Sequence, residues 1–306
     1  MPPLESLVAI AGLATLVTAA AAAAGAVMAR GSTAVPAAIW GAAAAAAFGL
    51  EAAARRAGWL GDPSTAAAAR LVVVAVAVCP AMSLLGAKRP QHGVWQLIVL
   101  ALGVTLALPA VSATLVRPGT FPDVHLLERW FILLLVLVGW LNFVATRRGL
   151  AATLVAAGQL LVARPFLPGG SAEVEQPGID CIAALLSAAG AAVALLQSAV
   201  AARWRDTRPA GPAGRIDAAF VALRETFGAA WALRIAERFD AIAASRGWPC
   251  RLSFRGLRVA EAGAGGDWER AAERGFRALA RRFVTDGWLS RHGAGDPTMD
   301  RADEGG

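Results

Sequence analysis

Residues 94–116 read VWQLIVLALGVTLALPAVSATLV, and none of these 23 side chains is charged. A bilayer core about 30 Å thick is crossed by about 20 apolar helical residues, since each residue adds about 1.5 Å. The whole chain has the same character: 57% of its 306 residues are hydrophobic and only 17% are charged. This composition excludes an ordinary soluble domain. The sequence therefore predicts a polytopic membrane protein.

Seven apolar segments of this kind follow one another along the chain. They are Leu7–Met28, Val35–Ala53, Ala66–Leu85, Val94–Val116, Leu126–Ala145, Leu150–Leu167 and Cys181–Ala201. We predict an all-α membrane domain of about seven transmembrane helices packed in a bundle. The second segment is rich in alanine and the sixth is short, so whether these two cross the membrane fully stays open.

Small residues and prolines predict how these helices pack. The spacing of four in Gly41, Ala45 and Gly49, and again in Ala183, Ser187 and Ala191, lets helices approach closely, either within one chain or between two copies. Pro80 and Pro109 each remove one hydrogen bond from a helix, which predicts a kink at both positions.

The basic residues predict the orientation, because Lys and Arg concentrate on the cytoplasmic side of a membrane. With the N-terminus outside, eight inner positions are basic: Arg30, Lys88, Arg89, Arg147, Arg148, Arg203, Arg205 and Arg208. Six outer positions are basic: Arg55, Arg56, Arg70, Arg117, Arg129 and Arg164. We expect a bacterial-type cytoplasmic (inner) membrane, with the N-terminus outside and the C-terminus in the cytoplasm.

The composition changes after the last apolar segment. We predict a transmembrane domain over residues 1–204, a Pro- and Gly-rich linker over 205–214, a small soluble α+β domain over 215–291 and a disordered tail over 292–306. From Arg203 onward the chain holds 18 arginines and 14 acidic residues. Such mixed charge is typical of a solvated surface, so we expect no nucleic acid partner.

One apolar face stands out in the soluble domain. Apolar residues recur at steps of three and four from Ile216 to Ile242, which predicts one amphipathic helix of about 30 residues. The predicted partner-binding residues on this face are Phe220, Phe227, Trp231 and Phe239. The face packs against its own domain, a second copy or another protein.

Two further elements are predicted after this helix. Leu252 and Phe254 alternate on one side of Gly256, with Leu257 and Val259 on the other, which predicts a short hairpin. A second helix is expected to begin after a cap at Asp267 and to end at Gly287.

Ionisable side chains are concentrated near the predicted outer ends of the spans, where they are costly and often functional. The candidate catalytic residues are His125, Glu128 and Asp123, because a carboxylate beside a histidine can transfer protons. The candidate ligand- or lipid-binding residues are Arg129, Glu51, Arg55, Arg70 and Arg164 at the outer face, and Lys88 and Arg89 in a basic turn at the inner face, because clustered cations hold phosphate or carboxylate groups. The alternative is that these groups form interfacial ion pairs that orient the helix ends.

Several kinds of bound group are not expected. The last apolar segment contains no lysine for a retinal Schiff base. His92 and His125 are predicted on opposite sides of the membrane, so they cannot share a haem. Cys79, Cys181 and Cys250 lie in three separate places. We therefore predict no cofactor and no metal.

Three functions remain open on these grounds. The first is a membrane-anchored interaction or sensory protein whose cytoplasmic tail docks a partner or a second copy. The second is a membrane-embedded enzyme or carrier that handles an anionic lipid-linked substrate at the outer His/Glu/Arg cluster. The third is a channel or transporter, for which the two prolines are the only argument. In each case membrane lipids surround the protein, and whether it catalyses any reaction stays open.

Overall fold

A computed structural model describes residues 4–88, 92–170, 177–203, 211–260 and 268–293. The predicted cap Asp267, Arg89 and most of the predicted linker lie outside these residues. The chain divides into two compact units. The first comprises Met1–Met28, Ala34–Gly86 and Gln91–Leu196, and the second comprises Ala29–Thr33, Ala87–Pro90 and Gln197–Gly306.

The first unit is built from helices. They are α1 (Leu4–Met28), α2 (Val35–Arg56), α3 (Pro63–Leu85), α4 (His92–Val111), α5 (Leu126–Val144), α6 (Gly149–Ala163) and α7 (Pro177–Arg203), of which the last continues into the second unit. Within the described part of the chain, seven helices are long and apolar enough to cross a membrane. This count confirms the seven predicted segments, including the second and sixth, and it fits a multi-pass membrane protein.

Helix α3 is the most buried helix of the first unit. It contacts α2, α4, α5 and α6. The reason lies in its sequence, since small and β-branched residues cover it on all sides and let neighbouring helices approach closely. Leu71 and Val74 on α3 are almost completely buried, together with Val99 on α4 and Ile132 on α5.

The two prolines have different local consequences. Helix α3 continues through Pro80, and the Nε2 atom of Gln159 on α6 donates a hydrogen bond of 2.8 Å to the carbonyl of Ala77 in the turn before it. Helix α4 contains Pro109 and is followed by a π-helical turn, Ser112–Val116. A neighbouring side chain and a local widening of the helix are two ways in which membrane proteins satisfy the backbone near a proline.

Both predicted stripes of small residues are packed inside the chain. Gly49 on α2 faces Thr15 on α1. A Cβ atom at Gly158 on α6 would lie 2.8 Å from the carbonyl oxygen of Ala183 on α7. The small residues therefore serve helix packing within the first unit.

The second unit contains four helices and one hairpin among its described residues after 211. The helices are α8 (Pro212–Phe227), α9 (Ala229–Arg246), α10 (Trp268–Ala280) and α11 (Asp286–Arg291), and the strands are β1 (Cys250–Ser253) and β2 (Gly256–Val259). The strands pair antiparallel with Leu252 opposite Leu257, which confirms the predicted hairpin.

Two predicted helices need correction. The single helix from Ile216 to Ile242 is wrong, because the chain breaks at Gly228, whose φ of 82° and ψ of −173° belong to a region that is essentially reserved for glycine. The second helix does not continue to Gly287. Helix α10 ends at Ala280, and Gly287 lies inside α11.

The core of the second unit is aromatic. Phe227 and Trp231 lie against Phe283, with ring centroids 5.7 and 4.9 Å away, and Phe239 meets Phe276 edge-on. His292, which was predicted to begin the disordered tail, stacks on Trp288. Residues 294–306 lie outside the described part of the chain.

The second unit also includes the chain around Gly31. Ser32 and Val284 form an isolated antiparallel bridge, and the N–H of Thr285 donates a hydrogen bond of 2.7 Å to the carbonyl of Gly31. The hydroxyl of Thr33 donates a hydrogen bond of 2.8 Å to the carbonyl of Ala87. The second unit therefore combines the C-terminal region with residues of two connections, the one between α1 and α2 and the one between α3 and α4.

Candidate functional site

The predicted catalytic residues lie at the start of α5, where they cap the helix. The Nδ1 atom of His125 accepts a hydrogen bond of 3.3 Å from the N–H of Leu127, and the carboxylate of Glu128 interacts with the N–H of His125. This reciprocal arrangement has the form of a capping box, which satisfies backbone N–H groups that a helix leaves free at its first turn. His125 and Glu128 therefore hold the helix start, and Asp123, the third predicted residue, is exposed.

The guanidinium group of Arg129 donates hydrogen bonds to backbone oxygens. Its Nε atom donates to the carbonyl of Val124, and its Nη1 atom donates to the carbonyls of Pro165 and Leu167 at 3.3 and 3.2 Å. These two carbonyls belong to the turn that follows α6, where carbonyl groups lack helical partners. Arg129 thus joins the start of α5 to the end of α6.

An open groove of about 710 Å³ lies between α4 and α5 beside this helix start. Its lining residues are Leu102, Thr105, Leu106, Leu108, Pro109, Ser112, His125, Leu127, Glu128 and Phe131. Most of these side chains are apolar, and His125, Glu128 and Ser112 supply the main polar atoms. A long apolar cleft with a few polar groups is the usual form of a site for an amphipathic ligand.

The hydrogen-bonding capacity of the groove follows from these contacts. Because Nδ1 of His125 accepts a hydrogen bond, a neutral imidazole carries its proton on Nε2. Glu128 offers carboxylate oxygens. Pro109 has no N–H for the carbonyl of Thr105, four residues earlier, and both residues line the groove. The groove wall therefore offers acceptors at Glu128 and the Thr105 carbonyl, and donors at Nε2 of His125 and the hydroxyl of Ser112.

A second cluster joins three helices of the first unit, and we call it the four-charge network. It consists of Glu51 and Arg55 on α2, Arg70 on α3 and Asp180 on α7. Arg70 donates through Nη1 and Nη2 to the two oxygens of Asp180, each at 2.8 Å, and through Nε to both oxygens of Glu51 at 2.8 and 2.9 Å. Arg70 is 2% exposed and Glu51 is 4% exposed.

The four-charge network balances its own charge. Its two arginines and two carboxylates sum to zero, and the guanidinium of Arg70 also lies over the ring of Phe48, 5.4 Å from the centroid. Buried charges of this kind persist only when they are paired and hydrogen-bonded. Arg70 therefore holds α2, α3 and α7 together through Glu51 and Asp180. Arg55 pairs with Glu51 within α2, and its Nε atom is buried with no hydrogen-bond partner among the described residues.

Three predicted binding residues remain, Lys88, Arg89 and Arg164. Lys88 is half-buried and belongs to the second unit, and Arg89 lies outside the described residues. Arg164 begins a 3₁₀ turn after α6.

The four predicted partner-binding residues are core residues of the second unit. Phe220, Phe227 and Phe239 are fully buried and Trp231 is nearly so. They are covered by α10 and by the chain around Phe283, so this face is not available to a partner in the folded unit. From residue 211 onward, Leu233 is the one large hydrophobic residue that is exposed within the described ranges.

Sequence reasoning missed two features of these sites. Asp180 was not among the predicted site residues, although it completes the pairing of Arg70 over a separation of 110 residues. The groove was also missed, because it depends on how α4 and α5 are placed beside each other. The arginine inside the third apolar segment was itself a usable signal, since such a charge requires a partner in the membrane.

Comparisons with known proteins add no assignment. No protein-family model, curated protein or solved structure matches this chain. Among the described residues, no three His, Cys, Asp or Glu side chains are grouped as metal ligands would be.

Proposed function

We propose that this protein is a multi-pass inner-membrane protein that binds one amphipathic molecule of the bilayer in the groove between α4 and α5. The supporting observation is the groove itself, about 710 Å³ of mostly apolar wall with His125 and Glu128 among its lining residues. The apolar part of the ligand lies along Leu102, Leu106 and Phe131. Its polar head lies against His125, Glu128 and Ser112.

Binding is a better proposal than catalysis for this groove. His125 and Glu128 are committed to the start of α5, and Arg129 is committed to backbone carbonyls. The earlier expectation of an anionic substrate relied on Arg129, which is not among the groove's lining residues. The carboxylate of Glu128 and the acceptor groups of the wall favour a head group that donates hydrogen bonds, such as a hydroxyl, over an anion.

The test is photolabelling of the full-length protein in nanodiscs with a long-chain alcohol that carries a diazirine. We expect labelled residues on the facing sides of α4 and α5. Leu108 and Val104 offer a matched pair on α4, because they are 52% and 53% exposed and only Leu108 lines the groove. Leu108→Trp should fill the groove and lower labelling several-fold, whereas Val104→Trp should leave it unchanged. Equal labelling of the two variants would show that the probe samples lipid-exposed helix surface without a site.

The predicted orientation, with the N-terminus outside and the tail in the cytoplasm, is part of this proposal. Two residues on the same side of a membrane are separated by an even number of crossings. Within the second unit, Ser32 pairs with Val284, and six helices, α2–α7, lie between them in the chain. Thr33 donates a hydrogen bond to Ala87, and two helices, α2 and α3, lie between these residues. Both numbers are even, as expected if each helix from α2 to α7 crosses the membrane. Labelling of single cysteines in intact cells measures the side directly, and opposite sides for Ser32 and Val284 would contradict it.

The interaction predicted for the tail has to use a different surface from the apolar face on which it was placed. Because its apolar face is the core of the second unit, a partner has to meet the exposed polar surface, which is rich in arginine.

A further inference from the structure

The hairpin of the second unit places two arginines directly opposite each other. In the register of β1 and β2, Arg251 pairs with Arg258, and both are exposed. Leu252 and Leu257 are paired on the other face, where Leu252 is buried. The turn between the strands carries a third exposed arginine, Arg255. We call Arg251, Arg255 and Arg258 the hairpin arginines.

In the described part of the chain, one of the three hairpin arginines lies within ion-pair distance of a carboxylate. Like charges directly opposite each other destabilise a strand pair, because their Cβ atoms are only about 5 Å apart. Asp240 lies 3.3 Å from the Nε atom of Arg251, which is 84% exposed. Neither Arg255 nor Arg258 lies within ion-pair distance of a carboxylate in the described part of the chain. A stable hairpin with this arrangement is consistent with an anion that lies between the arginines.

The hairpin is held firmly and close along the chain to the last apolar helix. The N–H of Leu257 donates a hydrogen bond of 2.9 Å to Asp217 on α8, and the N–H of Leu252 donates one of 2.6 Å to Asp240 on α9. Helix α8 begins nine residues after α7 ends, from Arg203 to Pro212. Nine residues span at most about 30 Å. The start of α8 therefore lies within about 30 Å of the end of α7.

We propose that the hairpin arginines bind phosphate groups of anionic phospholipids. The guanidinium group presents a planar set of donors that matches a phosphate, and two such groups facing each other bind one phosphate between them. An anionic leaflet attracts basic residues within about one Debye length of its surface. We choose a lipid over an acidic protein because α8 follows within nine residues of a helix that we propose to cross the membrane. The proposal is independent of the groove between α4 and α5.

The experiment measures amide hydrogen exchange of residues 250–260 in the full-length protein. The protein is placed in nanodiscs of pure phosphatidylcholine and in nanodiscs that also contain phosphatidylglycerol. We expect slower exchange in the anionic nanodiscs, and we expect high salt to remove the difference. Each arginine near an anionic surface changes binding by roughly fivefold, so R251Q/R258Q should weaken binding by roughly 25-fold and abolish the protection.

The control variant is R238Q/R274Q, which removes the same number of charges from exposed positions of α9 and α10. It should retain the protection. The phosphatidylcholine nanodiscs report whether the hairpin folds, because R251Q/R258Q removes repulsion and should not raise exchange there. Equal exchange of the unmodified protein in both lipids would overturn the proposal and leave an acidic protein as the partner. Equal losses in both variants would overturn it as well, because they would indicate unspecific attraction by net charge.

Discussion

The four-charge network allows one prediction to be worked out from its contacts. Asp180→Asn keeps the shape of the side chain and removes one negative charge, so the network changes from neutral to a net charge of +1. Arg70 then remains buried with Glu51 as its one carboxylate, which it shares with Arg55. Removing one partner of a buried pair typically costs 3–5 kcal/mol, because the other charge stays desolvated. Asp180 keeps 21% of its side chain exposed, so we expect the low end, about 3 kcal/mol.

The assay should report on the first unit alone. Cys79 is buried in α3, and its alkylation rate in increasing SDS measures how often that unit opens. Replacing Cys181 and Cys250 with serine removes the other thiols. The control is Asp123→Asn, which removes the same charge from an exposed position.

The opening free energies of the variants show whether the four charges act as one network or as independent surface charges. Asp180→Asn should open far more readily than Asp123→Asn. Glu51→Gln should be similarly destabilised, and adding Arg55→Gln to it should recover part of the loss, because the double variant is neutral again. The same opening free energy in Asp180→Asn and Asp123→Asn would refute the reasoning.

Three further predictions concern single positions. Gln159→Leu should lower the stability of the first unit by about 1 kcal/mol in the same alkylation assay, because the side-chain hydrogen bond from α6 to the carbonyl of Ala77 is lost; no loss would show that the bond is dispensable. Gly228→Ala should lower the unfolding free energy of the second unit by about 2 kcal/mol, because a residue with a Cβ is strained at this φ and ψ. Faster cleavage by trypsin measures the loss, and Gly287→Ala is the unstrained control. Hydrogen bonds from the Ser64 hydroxyl and the Thr65 N–H lower the pKa of Asp62. The Asp62 cap of α3 therefore contributes its full stability above a pH of about 3.9, and this stability is lost as the pH falls through the lowered folded-state pKa. The protection factor of the Thr65 amide, which is its exchange rate relative to that of an unprotected amide at the same pH, measures this loss. Asp62→Asn should remove the change in protection around the Asp62 pKa.

The candidate site shows how far a linear pattern reaches. The spacing of His125, Glu128 and Arg129 placed three ionisable residues on one helical face, and the structure uses that spacing to cap α5 and to hold the turn after α6. That these side chains are ionisable could be predicted, but the groups to which they bond could not. Their partners are backbone groups that only the folded chain brings within hydrogen-bonding distance.

The sequence by itself determined the number of apolar helices. Twenty consecutive apolar residues have no stable place in water, so length and composition are enough to count them. It also determined the hairpin, because the alternation around Gly256 is a local property. The tertiary structure alone decided that Arg70 pairs with Asp180, that Phe227 and Trp231 face the core of their own unit, and that Arg251 faces Arg258. Each of these depends on the distance between residues far apart in the chain or on a strand register, and hydropathy carries no information about either.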